Sequence, residues 1–400
     1  MIFEINIKKE LNLPDIFLSY SSSDSNKKEE CEEECEEEWI KLRALKNLID
    51  NYDIKDWDKN KKMTNPYELI YMPSRKVKYE SIACIDPLSR SYFKMWELLF
   101  NHSFLHFDNK SENILNIAEG PGGFIEALVN YRKKYHDACD KINAITLKST
   151  NKEIPGWDKS YQFLIENNNV KIHYGEDGSG NIYNVENIKH LRKYISSNNQ
   201  LAKLITADGG FDYSKNFNNQ EASSYRIIFC EIVTAICNQA VGGTFICKMF
   251  DTYSQFSKFF IYLLCCCYSN VLFHKPVTSR PANSEKYIIC KDFRGLPENY
   301  IQKLFIVIKS WNIIEKQGAK LERIFKGDIP TSLNDKINEL NTLHYNHQRK
   351  SIEETINLIE NKPNLSELNK IIKSQVSYAK EWCDKYDILI NNKSTFLDKK

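Results

Sequence analysis

The sequence predicts an α/β fold around a mostly parallel sheet, and three observations carry that expectation. Short β-rich runs alternate with amphipathic helical stretches from about residue 39 to residue 297. A glycine-rich turn joins one of those runs to the helix after it, where a doubly wound sheet meets its ligand. The 400 residues, 42% hydrophobic and 12% aromatic, are enough to bury a large catalytic core and exclude wholesale disorder.

Residues 1–38 read as an N-terminal extension ending in a dense acidic run from Lys27 to Glu38. Cys31 and Cys35 would share a helix face there, but no second Cys/His pair at zinc spacing follows, so a solvated charge run is the expectation. Residues 39–297 form the expected main domain. Its strands are read at Ile114–Ala118, Ile142–Leu147, Val170–Tyr174, Leu201–Thr206, Thr244–Lys248, Asn270–His274 and Tyr287–Lys291. Between them, Tyr225, Ile228, Ile232, Ala235 and Ile236 recur at helical spacing. Residues 298–400 read as a helical C-terminal region in which Leu365, Leu368, Ile372, Val376, Ala379 and Trp382 or Cys383 mark one amphipathic helix after Pro363.

Charge and cysteine usage narrow the class further. Lys+Arg 55 against Asp+Glu 53 excludes a polycation held to nucleic acid by bulk charge, while leaving room for a local basic groove. Three of the twelve cysteines, Cys265 to Cys267, are adjacent in an apolar run, which suits small buried hydrophobes better than a disulfide framework. That run is too short to span a bilayer, and the first residues lack a signal-peptide pattern. A reducing compartment without membrane attachment is therefore expected. The Lys, Asn and Ile content suggests an A/T-rich source.

The glycine turn reads Asn116-Ile117-Ala118-Glu119-Gly120-Pro121-Gly122-Gly123-Phe124. Its glycines permit unusual φ and close backbone approach, and Pro121 stiffens the turn. It lacks the Gly-Lys-Ser/Thr of a phosphate-binding loop and the spacing of a dinucleotide fingerprint. An amino-acid-like or adenosyl ligand suits it better.

Four separated residues point to one site. Lys94 follows Ser89-Arg90-Ser91, Asp208 precedes Gly209-Gly210-Phe211, Lys248 ends a strand, and Glu285 closes Ser279-Arg280-Pro281-Ala282-Asn283-Ser284. The carboxyl edges of parallel strands converge above the sheet, so these two lysines and two acids are expected in one pocket. A lysine with a reference pKa of about 10.4 is a poor base at neutral pH. A second lysine and partial desolvation are expected to lower it, so that it could take the proton of a sugar hydroxyl attacking an electrophile, for instance a sulfonium methyl. Neither a metal nor a covalent intermediate is needed for that chemistry.

The set Lys94, Asp208, Lys248 and Glu285 resembles the Lys-Asp-Lys-Glu tetrad of the FtsJ-like ribose 2′-O-methyltransferases, with intervals of 40 and 37 residues between the last three. The text ADGGF, GGTFICKMFD and SRPANSEKYIICK is similar to the cap ribose methyltransferases of eukaryotes and large DNA viruses, as are Tyr174–Ile182 and Asn65-Pro66-Tyr67-Glu68. The resemblance covers roughly residues 40–295. It implies a Rossmann-like sheet with helices on both faces, S-adenosyl-L-methionine as methyl donor, and a ribose 2′-OH near the cap of 5′-capped mRNA as acceptor. By carry-over, Lys248 is the base, Lys94 and Glu285 frame the ribose, and Asp208 orients Lys248 beside the donor. Gly120, Pro121, Gly122, Gly123 and Phe124 would hold the methionine part and Asp177 the adenosine end. Lys46, Asp50 and Lys61 would face the methylguanosine, with Arg280, Asn283 and Ser284 also on the cap or RNA. Two departures from the family pattern stand out: Asn116 occupies a position where an acid is common, and Glu119 one that is usually small.

The same resemblance implies a nuclear or cytoplasmic setting, or a virion or viral factory for a viral source. Tyr71, Tyr79, Tyr92 and Phe93 beside Arg75, Lys76 and Lys78 offer stacking and phosphate contact for RNA, or else belong to the core. Ribosomal or transfer RNA as substrate, and a non-catalytic cap- or RNA-binding scaffold, remain the alternatives. Capping or transcription proteins are candidate partners for the acidic N terminus and the helical tail.

Overall fold

A computed structural model of the chain describes residues 1–5, 7, 11–21, 37–72, 81–104, 110–136, 139–148, 151, 156–211 and 217–397. The acidic run up to residue 36, with Cys31 and Cys35, lies outside the described residues, as do Arg75, Lys76, Lys78 and Tyr79. In chain order the strands are β1 (Ile2–Glu4), β2 (Ile16–Ser21), β3 (Asn113–Ile117), β4 (Lys141–Ile145), β5 (Val170–His173), β6 (Ala202–Ala207), β7 (Gln239–Met249), β8 (Tyr268–His274), β9 (Lys286–Phe293) and β10 (Lys320–Phe325). The helices are α1 (Glu37–Ile49), α2 (Ile54–Met63), α3 (Ser91–His102), α4 (Gly123–Tyr135), α5 (Tyr161–Glu166), α6 (Val185–Ser197), α7 (Gln220–Ile236), α8 (Gln255–Cys267), α9 (Glu298–Lys316), α10 (Thr331–Asn361) and α11 (Leu365–Lys385).

All seven strands read from the sequence are present within a few residues. They form an eight-stranded sheet with the order β1-β8-β9-β7-β6-β3-β4-β5. The run from β5 to β7 is parallel, whereas β9 runs antiparallel to both β7 and β8, and β1 antiparallel to β8. The sheet is therefore mixed at one side. A separate two-stranded ladder joins β2 to β10.

Strands such as β3, with Ile114, Leu115 and Ile117 all buried, are apolar on both faces because helices cover both. One face packs α6, α7, α8 and α9; the other packs α3, α4 and α11. The cysteine-rich run is α8, buried along most of its length, and the ten described cysteines are all free. Residues 298–400 carry β10 besides three helices, and α9 and α11 supply apolar side chains to opposite faces of the sheet. Among the described residues no helix is long and apolar enough to cross a membrane. Tyr71, Tyr92 and Phe93 are core residues: Tyr92 stacks on Trp96 with ring centroids 5.6 Å apart, so packing consumes the faces an RNA base would need.

At the amino-terminal edge of the sheet, Arg132 of α4 grips Asp140 through two bonds of 2.8 and 2.9 Å, both side chains nearly fully buried. The Asp140 carboxylate also accepts the Glu112 amide at 2.9 Å, which ties the starts of β3 and β4 together. Asp140→Ala takes the countercharge from the buried guanidinium, which keeps the Lys110 carbonyl, and is expected to cost about 3–5 kcal/mol in urea denaturation.

Candidate active site

The carboxyl edges of β3, β6 and β7 bring the four expected residues together. Lys248 lies at the end of β7 and Tyr287 directly opposite it on β9. Glu285 stands just before β9, two residues from Tyr287, a spacing that in extended backbone puts both side chains on one face. Asp208 follows β6, and Lys94 reaches in from the first turn of α3.

Their contacts form one polar unit. Lys94 Nζ lies 2.6 Å from Glu285 Oε1, and Lys248 Nζ lies 3.2 Å from Asp208 Oδ1 while donating to the Asp208 carbonyl at 2.7 Å. The Tyr287 hydroxyl bridges the two carboxylates, 3.0 Å from Asp208 Oδ1 and 3.3 Å from Glu285 Oε1. The Ser279 hydroxyl donates to Glu285 at 3.2 Å. The four charged side chains keep only 12–15% of their exposure.

Burial and charge compete at each group. For Glu285, burial opposes ionisation, yet Lys94 and Lys248 overcome it and bring the carboxyl down to about 2. For Lys248, burial opposes the ammonium, but Asp208, Glu285 and Glu231 outweigh it and hold the group above the ordinary lysine value. This corrects the sequence expectation of a lowered lysine: three carboxyl groups surround it, a field that neighbouring Lys94 does not cancel. Glu231 of α7 is the least legible of these. It accepts the Gly209 amide at 2.9 Å beneath the Asp208 turn, and burial lifts its carboxyl to about 8. A Cβ at Gly209 would fall 2.2 Å from Glu231 Oε1, so a side chain there would have to displace that carboxyl.

The glycine turn lies beside this unit. Gly122 has a φ of 101°, and a Cβ there would come within 3.0 Å of the Trp157 ring; at Gly123 one would fall 2.2 and 2.3 Å from the Ser89 and Ser91 hydroxyls. Gly120 and Pro121 form the bend, Gly123 opens α4, and Phe124 points into the core. Glu119 turns away from this turn into the seam between β3 and β6, where Asn116 donates to it at 3.0 Å and the Thr206 hydroxyl also binds it. Burial raises its pKa well above the carboxylate range.

Asp177 is exposed beyond β5. Its carboxylate accepts the Ser179 amide (2.9 Å) and hydroxyl (2.6 Å), Asn184 (2.8 Å) and Asn187 (2.9 Å), which orders its own loop and lowers its pKa.

The six residues expected on the cap spread more widely. Lys46 is buried and pairs with Asp251 at 2.7 Å, turned toward the end of β7, whereas Asp50 is exposed. Lys61 pairs with Asp58 on its own helix. Arg280 makes two bonds, 2.8 and 3.1 Å, to Glu68, which Arg90 also approaches at 3.3 Å and Asn65 at 2.7 Å. Asn283 receives Lys275, and Ser284 donates to Gln220 at 2.7 Å. The signal that could have found Tyr287 was the two-residue strand spacing from Glu285; nothing in the sequence marks Glu231 or Lys275 as buried.

The profile of the FtsJ-like methyltransferase family matches residues 87–293 of this chain. The chain is similar to cap-specific mRNA (nucleoside-2′-O-)-methyltransferase 1A of Caenorhabditis briggsae, at 31% identity over 301 residues, 69% of this chain and 33% of the relative. It is similar to the human cap-specific mRNA (nucleoside-2′-O-)-methyltransferase 1, at 31% identity over 308 residues, 71% of this chain and 34% of the relative. A Caenorhabditis briggsae relative named as the inactive 1B protein is 30% identical over 270 residues, covering 63% of this chain and 31% of its own. The chain spans about a third of the length of the curated relatives it matches. Human methyltransferase-like protein 13 with bound SAH aligns to 62% of this chain and 99% of its own at 10% identity, with a TM-score of 0.34.

The depressed Glu285 carboxyl gives a signed expectation. Its stabilisation is complete above the unfolded pKa of about 4.5 and disappears as pH falls through the folded value of about 2. The stability difference between the protein and Glu285→Gln is therefore expected to shrink by about 2 kcal/mol between pH 7 and pH 3, read by denaturant titration.

Proposed function

Because the chain belongs to the FtsJ-like methyltransferase family, a family of S-adenosylmethionine-dependent enzymes, we propose that it methylates a ribose 2′-hydroxyl near the 5′ cap of mRNA. The observation that carries this reading is the buried unit of Lys94, Asp208, Lys248 and Glu285 at the carboxyl edge of the sheet. The relatives named as cap-specific methyltransferases supply the substrate class.

The glycine turn suits the donor. Side chains at Gly122 and Gly123 would collide with Trp157, Ser89 and Ser91, so the turn is held to bare backbone, and the N-terminus of α4 behind it favours the carboxylate of a methionine moiety. The loop ordered by Asp177 would close over the adenosine end, with Asp177 acting through the backbone it fixes. S-adenosylmethionine, when bound, supplies an electrophilic methyl on a positively charged sulfonium.

In this reading the protein's own groups do the proton work. Lys248 rests as an ammonium and must first release a proton to solvent, a step eased by added positive charge in the pocket and opposed by Asp208, Glu285 and Glu231. The neutral Nζ would then take the 2′-hydroxyl proton as the oxygen displaces sulfur at the methyl carbon, the carbon–sulfur electron pair leaving with the neutral thioether. Asp208 keeps Lys248 aimed through both its carbonyl and its carboxylate. Lys94 and Glu285 present a donor and an acceptor to the ribose, and Arg280, Asn283 and Ser284 shape the loop beside it. Alignment of oxygen and methyl provides the rest of the acceleration.

The test is methyl transfer from labelled S-adenosylmethionine to short RNAs that are m7G-capped, G-capped or uncapped. Capped RNA is expected to be methylated, and Lys248→Ala to lose at least about 10²-fold in rate. Equal transfer to uncapped RNA would overturn the cap assignment. Absence of transfer with cap binding intact would overturn the enzymatic reading.

A further inference from the structure

We propose that Lys275 is a positioning residue of this site, its ammonium fixing the backbone from Asn283 to Glu285 and so the place of the Glu285 carboxylate. The inference rests on the reading of Glu285 as part of the reaction site. Lys275 follows β8 and is 4% exposed. Its Nζ donates to the Asn283 carbonyl at 2.7 Å, the Asn283 side-chain oxygen at 2.8 Å and the Glu285 carbonyl at 2.8 Å. Three N–H donors meet three oxygens, and all three belong to one short segment.

This is more than a filled core. The segment leads straight into β9, and it carries the carboxylate that meets Lys94, Ser279 and Tyr287. A neutral amine has two donors and a lone pair, so one of the three oxygens would then face a lone pair instead of a proton. The groups that bear on Lys275 come from several elements: Glu285 and Lys286, Lys94 of α3, Asp251 after β7, His344 and His347 of α10, and the Met1 amino group. Burial is the largest influence and draws the ammonium down to about 7, against the pull of Glu285. The order of the segment is therefore tied to protonation near neutral pH, and is lost as pH rises.

The test compares the full-length protein with Lys275→Met, Glu285→Gln and the double variant. Single-turnover methyl transfer is expected to fall on the order of 10²-fold in Lys275→Met. Affinity for S-adenosylhomocysteine is expected to stay within about twofold, and the double variant to be no slower than Glu285→Gln alone. Amides of residues 279–286 are expected to exchange with solvent at least about tenfold faster in Lys275→Met, with β6 unchanged. Losses that multiply in the double variant, or unaltered exchange in this segment, overturn the proposal. If the wild type transfers no methyl, the proposed function fails, and the exchange comparison still decides the role of Lys275. If Lys275→Met does not fold, the wild type alone decides: its segment exchange, corrected for intrinsic base catalysis, must rise between pH 6 and 8.5, and a flat profile overturns the proposal.

Discussion

Two ammonium groups and two carboxylates with little access to water can coexist only as a neutral set, and much of this structure serves to keep that set assembled. Removing water raises the cost of each lone charge and strengthens each pair. Lys94 answers Glu285, Lys248 answers Asp208, and the Tyr287 hydroxyl links the two pairs. The antiparallel register that sets Lys248 opposite Tyr287 is what puts a base candidate and a carboxylate on one face. A one-residue slip of β9 would send Glu285 and Tyr287 to the other face and replace them with Lys286.

The supports of this unit come from distant parts of the chain. Glu68 holds Arg280 and Arg90, and so ties the segment after α2 to the segment that ends in Glu285. Asp251 receives Lys46 of α1. From α10, Asn341 exchanges two bonds with Thr252, and Gln348 donates to the Ala282 carbonyl at 3.3 Å. The C-terminal helices thus fix the loops that flank the site, beyond covering apolar surface. Because several of these contacts are buried and polar, each is costly to break singly.

The central fold was legible because its strands announce themselves: β3, β4 and β6 are short apolar runs bounded by turn residues, and long helical periods separate them. β1, β2 and β10 were not. β1 has three residues, and β2 pairs with β10 across about 300 residues of sequence, so neither carries a local signal. The four site residues were legible because all sit at or beside strand ends or a helix start, where topology forces convergence. The charge state of Lys248 was not, since it turns on how far Asp208 and Glu285 outweigh the burial of the ammonium, a balance that sequence spacing does not reveal. Lys46 lies on α1 and Asp50 just past its last residue, and burial of one and exposure of the other separates them. Spacing predicts shared faces; it does not say which partner a long side chain finds.

The central claim is that the acceptor is a ribose hydroxyl set before Lys248, and replacing that hydroxyl tests it most directly. Capped RNAs carrying a 2′-deoxy sugar at the first, the second, or both leading nucleotides would be compared with the all-ribose RNA under single-turnover conditions. The account predicts that methyl incorporation vanishes when the acceptor position lacks its hydroxyl, while cap binding persists. Undiminished incorporation into the doubly deoxy RNA would place the methyl elsewhere and contradict the account.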